Sequence, residues 1–223
     1  MKNTFQGFKE LVYPKFCIIC SKKDYSICEI CLKPWSDKPK ISNIGDNYLY
    51  YVSEYNLDTS RVILLAKENG NTTAIDVISS ALVESIKLLI NNQRVEVPLN
   101  IVTIPSTSSA IRKRGRDHIS ELCENVIKKL KNISITATSA PLLRVSKRVK
   151  DQSRLNRNQR LDNLENAYSL QGLVPSGGEF ILFDDLVTTG SSILEGLRAL
   201  SDAKITAIGA VTACATGRNS LIR

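Results

Sequence analysis

The chain has 223 residues, of which 43% are hydrophobic and 23% charged, enough apolar material for one large domain or one ordinary domain with a small appendage. A count of 30 basic against 22 acidic residues leaves a formal charge of +8, which suits polyanionic partners such as phosphorylated metabolites or nucleic acid. No apolar run is long enough to span a bilayer, and the opening MKNTFQGFKELVYPKF lacks the apolar core and small-residue cleavage site of a secretory signal, so a cytoplasmic protein with no membrane insertion is expected.

In chain order, the first feature is Cys17-Ile-Ile-Cys20, a spacer, then Cys28-Glu-Ile-Cys31. Paired CxxC units present four thiolates that can surround one tetrahedral Zn²⁺, and so short a segment has no core of its own. Two disulfides are the alternative, although nothing in the sequence signals an oxidising compartment. With only cysteine ligands and no vacant position, such a zinc would be structural or partner-binding. Pro34 to Asn47 reads as a linker, rich in Pro, Ser, Asn and Gly, with Trp35 as a packing anchor for the knuckle. The expected organisation is a zinc knuckle with linker over 1–47 and a second domain over 48–223.

Tyr48 to Tyr55 has the composition of an edge strand. From Asp58 the pattern turns helical, breaks at Asn69-Gly70-Asn71, and resumes from Thr72 to Asn91 with Ile75, Ile78, Leu82, Ile86 and Leu89 on one stripe. Pro98 to Ile104 is a buried-strand candidate. After it, Ser106 to Arg116 places small hydroxyl residues ahead of a basic cluster, and a helix follows from Asp117 to Lys131. His118, the only histidine, is read as an exposed or capping residue rather than a catalytic one, and Cys123 and Cys214 as small packed hydrophobes. Ile133 to Val145 is a further strand candidate.

Between Leu142 and Arg160 lies most of the excess charge, carried by Arg144, Lys147, Arg148, Lys150, Arg154, Arg157 and Arg160 against Asp151 alone. This segment is weakly helical at best. It reads either as a solvated surface helix or as a track for single-stranded nucleic acid, with arginines on phosphates and bases. Tyr168 to Leu170 is a short strand candidate before the turn at Gly177-Gly178.

The densest chemistry lies in FILFDDLVTTGSS, Phe180 to Ser192. Phe180 to Phe183 suits a buried parallel strand, with Asp184 and Asp185 at its expected end. The small-residue turn Thr188-Thr189-Gly190-Ser191-Ser192 opens an amphipathic helix from Ile193 to Ala203. Backbone N–H groups at such a turn, with the helix dipole behind them, favour a phosphate, and the hydroxyls add donors. Two carboxylates beside it can accept hydrogen bonds from vicinal ribose hydroxyls or hold Mg²⁺. The stretch therefore points to a ribose 5-phosphate site, against the plainer possibility of an ordinary capped helix after a strand. Ile205 to Ala213 closes the pattern as another buried strand. Alternating strands and helices predict an α/β fold, a mostly parallel sheet flanked by helices with ligand loops at the strands' carboxyl ends.

ILFDDLVTTGSS resembles the phosphoribosyl-pyrophosphate (PRPP) signature of type I phosphoribosyltransferases. The resemblance implies that Asp184 and Asp185 bind the ribose hydroxyls and that Thr188, Thr189, Gly190, Ser191 and Ser192 form the 5-phosphate loop, with Val187 also among the PRPP-binding residues and Mg²⁺ accompanying PRPP. It further implies a pyrophosphate loop at Ser106, Thr107, Arg112, Lys113 and Arg114, which the residues alone equally allow as a solvated basic turn. A flexible lid closing over PRPP is implied for the segment of Arg144, Lys147, Arg148, Lys150 and Arg154. With the four-cysteine knuckle in front, nearly the whole chain is similar to the ComF (ComFC) family, associated with natural competence and DNA uptake. Pro105, Arg112, Arg114-Gly115, Gln152, Leu155, Arg160, Asn163, Ala167 and Tyr168 add to the likeness. Arg116, Asp117 and His118 depart from it, where an aromatic residue, Asn and Gln are usual.

Two functions follow as expectations. One is Mg²⁺-dependent transfer of phosphoribose from PRPP to an unidentified acceptor with release of pyrophosphate, for which the sequence offers no general base. The other is a non-enzymatic uptake factor that binds single-stranded DNA and partners such as a competence helicase or recombination proteins, with PRPP as ligand or signal. A PRPP-sensing regulator is a weaker third, since no helix-turn-helix is evident.

Overall fold

The computed structural model describes residues 15–146 and 166–217. Its framework is a mixed α/β arrangement around one mostly parallel sheet. The chain enters through the cysteine segment, a one-turn helix α1 (Glu29–Leu32) and a 3-10 turn (Lys33–Trp35), then forms β1 (Lys40–Ile44), β2 (Asn47–Tyr51) and β3 (Ser53–Glu54). Next come α2 (Leu57–Asn69), α3 (Thr72–Gln93), β4 (Leu99–Thr103), α4 (Ser108–Arg114) and α5 (His118–Asn132). The short strands β5 (Ala137–Ser139), β6 (Leu143–Val145) and β7 (Tyr168–Leu170) precede β8 (Glu179–Val187), α6 (Ser191–Asp202) and β9 (Ala207–Ala215).

The strand order is β1-β2-β9-β8-β4-β5, with β3 also beside β9. Every pair is parallel except the β1–β2 hairpin. Lys40–Ile44, which composition reads as linker, is thus a sheet strand, and the edge falls on β1 rather than on the tyrosine-rich β2. Its disguise is physical: an edge strand with only Ser42 and Ile44 buried carries little apolar alternation. The expected strand Ile133–Val145 is two strands in different sheets, because β5 extends the main sheet while β6 pairs antiparallel with β7.

Strand periodicity sorts the core into two layers. Leu99, Ile101, Ile181, Phe183 and Val211 pack with α2, α3 and α5 on one face. Val102, Ile104, Leu182, Val187 and Ala210 pack with α6 and the β6–β7 hairpin on the other. Trp35, 4% exposed, joins the first layer and ties the cysteine segment to the sheet. Cys123 and Cys214 are buried in the same layer, as expected of small hydrophobes.

The break at Asn69-Gly70-Asn71 is encoded locally. Gly70 ends α2 in the left-handed region (φ 64), and Asn71 caps α3 by accepting from the Ala74 amide at 2.9 Å. Among the described residues no helix is long and apolar enough to cross a membrane.

Candidate functional site

The site follows from how two neighbouring parallel strands part. From β4 the chain crosses through α5 to β5, and from β8 through α6 to β9, so the two connections leave for opposite faces and opposite sides. Such a switch point leaves a crevice at the carboxyl ends of the strands. Pairing of β4 with β8 stops at Thr103–Phe183, whereas β8 runs on beside β9 through Asp184–Thr212 to Val187–Ala215. Asp184 and Asp185 therefore lie inside the strand, not at its end as the sequence implies, but beyond the reach of β4. A cleft of about 770 Å³ opens there, within the range of small-molecule sites.

Both carboxylates line the cleft, and Asp184 Oδ1 accepts from the Asp185 amide at 2.9 Å. Asp185, 2% exposed, meets the α2–α5 side: His118 Nε2 stands 3.0 Å from its Oδ2, and Lys67 Nζ stands 3.7 Å from the same oxygen. Burial works to raise the pKa of Asp185, but the Lys67 ammonium and the His118 contact outweigh it and hold the carboxyl below the usual range. Asp184 goes the other way: burial and the adjacent Asp185 charge push it well above the ordinary carboxylate value. Lys67 is in turn shifted up by Asp185. The pair thus divides into one firmly ionised carboxylate and one that retains its proton more readily.

The 188–192 loop lines the same cleft. Gly190, at φ 90, starts the 12-residue α6 without a side-chain cap of its own, and the Ser191 amide donates to Thr189 Oγ1 at 3.4 Å. A Cβ at position 190 would collide with Cδ1 of Ile44 and lie 2.9 Å from its Cγ1, which restricts the position to glycine. Thr189 Oγ1 and Ser191 Oγ lie 2.7 Å apart, and the Thr216 amide donates to the Val187 carbonyl at 2.9 Å, pinning the loop's entry to β9. The Val187 side chain itself is packed in the core.

Across the cleft, Ser106, Thr107, Lys113 and Arg114 contribute lining, whereas Arg112 is exposed and does not. The basic stretch is not a plain loop: Ser108–Arg114 is helix α4, started by Thr107, whose Oγ1 accepts from the Ala110 amide. Arg114 is 8% exposed in its side chain; its Nε lies 3.6 Å from Glu68 Oε1, and its Nη1 is buried without a hydrogen-bond partner. Arg116 clamps the end of α2 through the Ala66 and Lys67 carbonyls and pairs with Glu121.

Val145 and Tyr168 close a third side from the β6–β7 hairpin. That hairpin is fixed to α6 by Glu195, which accepts from the Tyr168 amide at 2.9 Å, and by Arg198, which donates to the Tyr168 carbonyl at 2.9 Å. Burial raises the Tyr168 phenol. Arg144 sits exposed on β6, donating to Ser169 at 3.1 Å, away from the cleft lining; Lys147, Arg148, Lys150 and Arg154 lie outside the described residues.

Sequence reading misplaced His118 and passed over Lys67. His118 is neither exposed nor a cap: it is 2% exposed and paired with Asp185, while Asp117 precedes it at the cap position without a capping side-chain bond. No local pattern marks Lys67, which sits near the end of an ordinary helix.

A second polar cluster gathers Cys17, Cys20, Cys28 and Cys31, whose sulfurs all lie within 4.8 Å of one another and are free thiols. The chain turns tightly here, with Cys17 and Lys22, and Lys15 and Asp24, joined by backbone bonds of 2.8 Å. Burial tends to raise Cys17, but amides of Cys20, Cys28 and Ile19 bring it down to about 6. Cys28 is lowered by the Cys31 amide, and Cys31 is raised by burial and by the neighbouring sulfurs. The group has the donor set and spacing to hold one metal ion.

No protein-family model matches the chain, and no curated protein matches it in sequence.

Proposed function

We propose that the chain is a PRPP-binding protein of the type I phosphoribosyltransferase kind, with a structural zinc knuckle, acting in the cytoplasm and related in role to the ComF proteins of natural competence. One observation carries the reading: an ionised carboxylate, a second carboxylate beside it and the helix start at Gly190 line one cleft at a switch point of the sheet. Phosphate at the α6 start, ribose at Asp184 and Asp185, and pyrophosphate toward Thr107, Lys113 and Arg114 fit those chemistries in order. Mg²⁺ would accompany the pyrophosphate and neutralise part of its charge. In turnover the bond from the anomeric carbon to pyrophosphate breaks as a bond to the acceptor forms. The chain's own contribution is to hold the ribose, stabilise developing charge and bind the leaving group. For the knuckle, a set of four sulfurs within 4.8 Å of one another favours zinc, whose charge would let all four thiols ionise together.

Calorimetric titration of Mg²⁺-PRPP tests this. Saturable binding by the wild type, weakened about tenfold or more in a folded Asp184→Asn/Asp185→Asn variant, is expected; no binding by the folded wild type overturns it.

Binding of single-stranded DNA is a second reading, supported by the knuckle's surface. Phe16 and Tyr25 are 53% and 41% exposed, and the Lys22 ammonium lies 5.3 Å from the Tyr25 ring centroid. Exposed rings among lysines suit base stacking and phosphate contact. Replacing Phe16 and Tyr25 by Ala is expected to weaken oligonucleotide affinity by about 1–3 kcal/mol per lost stack; unchanged affinity rejects this surface.

A further inference from the structure

The proposed function gives no task to the two groups that reach the acidic pair, Lys67 and His118, and His118 is the more deeply buried. It is the only histidine, it opens α5, and it is almost wholly buried. Its Nδ1 is buried with no hydrogen-bond partner, an arrangement that costs free energy and that an apolar residue of similar size would avoid. What the imidazole gains is the 3.0 Å contact from Nε2 to Oδ2 of Asp185. Lys67 Nζ approaches the same oxygen from α2, so Oδ2 is engaged from two elements at once. Arg116, two residues before His118, clamps the carbonyls of Ala66 and Lys67. The short connector from α4 to α5 therefore bears on both partners of Asp185, directly through His118 and through the backbone of Lys67.

We infer that His118 is the positioning residue of the acidic pair: by engaging Oδ2 of Asp185 from Nε2, it fixes the carboxylate so that Oδ1 meets a hydroxyl of the bound ribose. The inference rests on the proposed PRPP reading and deepens it. His118, almost wholly buried in the cleft wall, acts through Asp185. Its effect falls on the sugar and not on the phosphates, which are held by the 188–192 loop and the α4 side of the cleft.

The test compares His118→Gln with His118→Asn in the full chain, titrated separately with Mg²⁺-PRPP, ribose 5-phosphate and inorganic pyrophosphate. A Gln carboxamide nitrogen can reach the place of Nε2, whereas an Asn nitrogen reaches only that of Nδ1. His118→Gln is expected to bind both sugar ligands within about threefold of wild type, and His118→Asn about tenfold more weakly, with pyrophosphate affinity the same in all three proteins. Equal sugar binding by Gln and Asn variants overturns the inference while leaving PRPP binding intact. An equal loss for all ligands assigns His118 a merely structural role and also overturns it. Wild type that binds neither sugar ligand removes the PRPP reading and the inference with it. Should the variants not fold, nitrogen-15 spectra of the wild type decide: the His118 Nε2 resonance is expected to shift with ribose 5-phosphate and not with pyrophosphate, and no shift with ribose 5-phosphate refutes the assignment.

Discussion

The cysteine knuckle and the carboxylate cleft hold their polar groups in place by different means. Between Lys15 and Trp35 there is little to pack: Cys17, Cys28 and Trp35 are buried, while Phe16, Tyr25 and Ile30 face outward. Its backbone bonds are local, and it is fastened to the sheet by Trp35, by the partly buried Ile18, Ile19, Ile27 and Leu32, and by the Ser53 hydroxyl, which donates to the Pro34 carbonyl at 2.5 Å. The cleft is the reverse. Asp184 and Asp185 stand on the strand flanked by both core layers, and their partners arrive on α2 and α5, whose apolar faces are packed on the sheet. Burial of that kind positions a charged group firmly and shifts its ionisation, whereas in the cysteine segment the four sulfurs are gathered with few buried side chains around them.

The largest effect expected from this contrast is metal removal. Zinc-finger peptides draw roughly 10–16 kcal/mol from their metal, so chelation, or Cys17→Ser with Cys28→Ser, should unfold the knuckle and leave the sheet standing. Elemental analysis should fall from about one zinc per chain to none. Hydrogen exchange should lose protection over residues 15–35 and keep it in β4, β8 and β9. Loss of protection throughout would break the contrast, since the knuckle would then support the whole core.

A smaller effect is expected in the cleft from Gly190→Ala. The added Cβ meets Ile44 in a left-handed backbone, a strain of about 1–3 kcal/mol. The loop should lose its phosphate geometry, so affinity for ribose 5-phosphate should fall by more than the melting temperature suggests. Unchanged affinity would place the phosphate elsewhere.

The smallest effect carries a sign. Asp184 has a raised pKa in the folded state, so the native protein holds its proton more tightly and stability falls as pH rises from the ordinary carboxylate range through the raised value. Asp184→Asn should therefore stabilise the fold near neutrality by roughly 1 kcal/mol, or about 2–4 °C, with the gain fading toward acid pH. Asp185 runs opposite: its lowered pKa contributes stability above the ordinary carboxylate range that is lost on acidification, and Asp185→Asn should destabilise at neutral pH. Melting curves across pH check both, and equal responses of the two variants would refute the division of roles.

Much of this was legible in the residues. The four cysteines, the helix break at Gly70, the apolar strands and the small-residue turn at Thr188–Ser192 are local patterns, set by periodicity, capping and ligand spacing within a few positions. The edge strand β1 was not legible, because it has few apolar contacts to advertise it. Nor was the helix α4 within the basic stretch, whose start depends on a single hydroxyl cap at Thr107.

What the sequence by itself determined is the apolar strands and long helices of the core and where small, acidic and sulfur-bearing residues cluster along the chain. Only the tertiary structure decided that Lys67 and His118, the latter 67 residues away in sequence, converge on one oxygen of Asp185. The reason is topological: crossovers from β4 and β8 in opposite directions open the crevice, and the layer packed on its near face brings α2 and α5 together over it. Two identical carboxylates adjacent in sequence become different acids because Lys67 and His118 reach Asp185, while Asp184 is dominated by burial and its neighbour's charge.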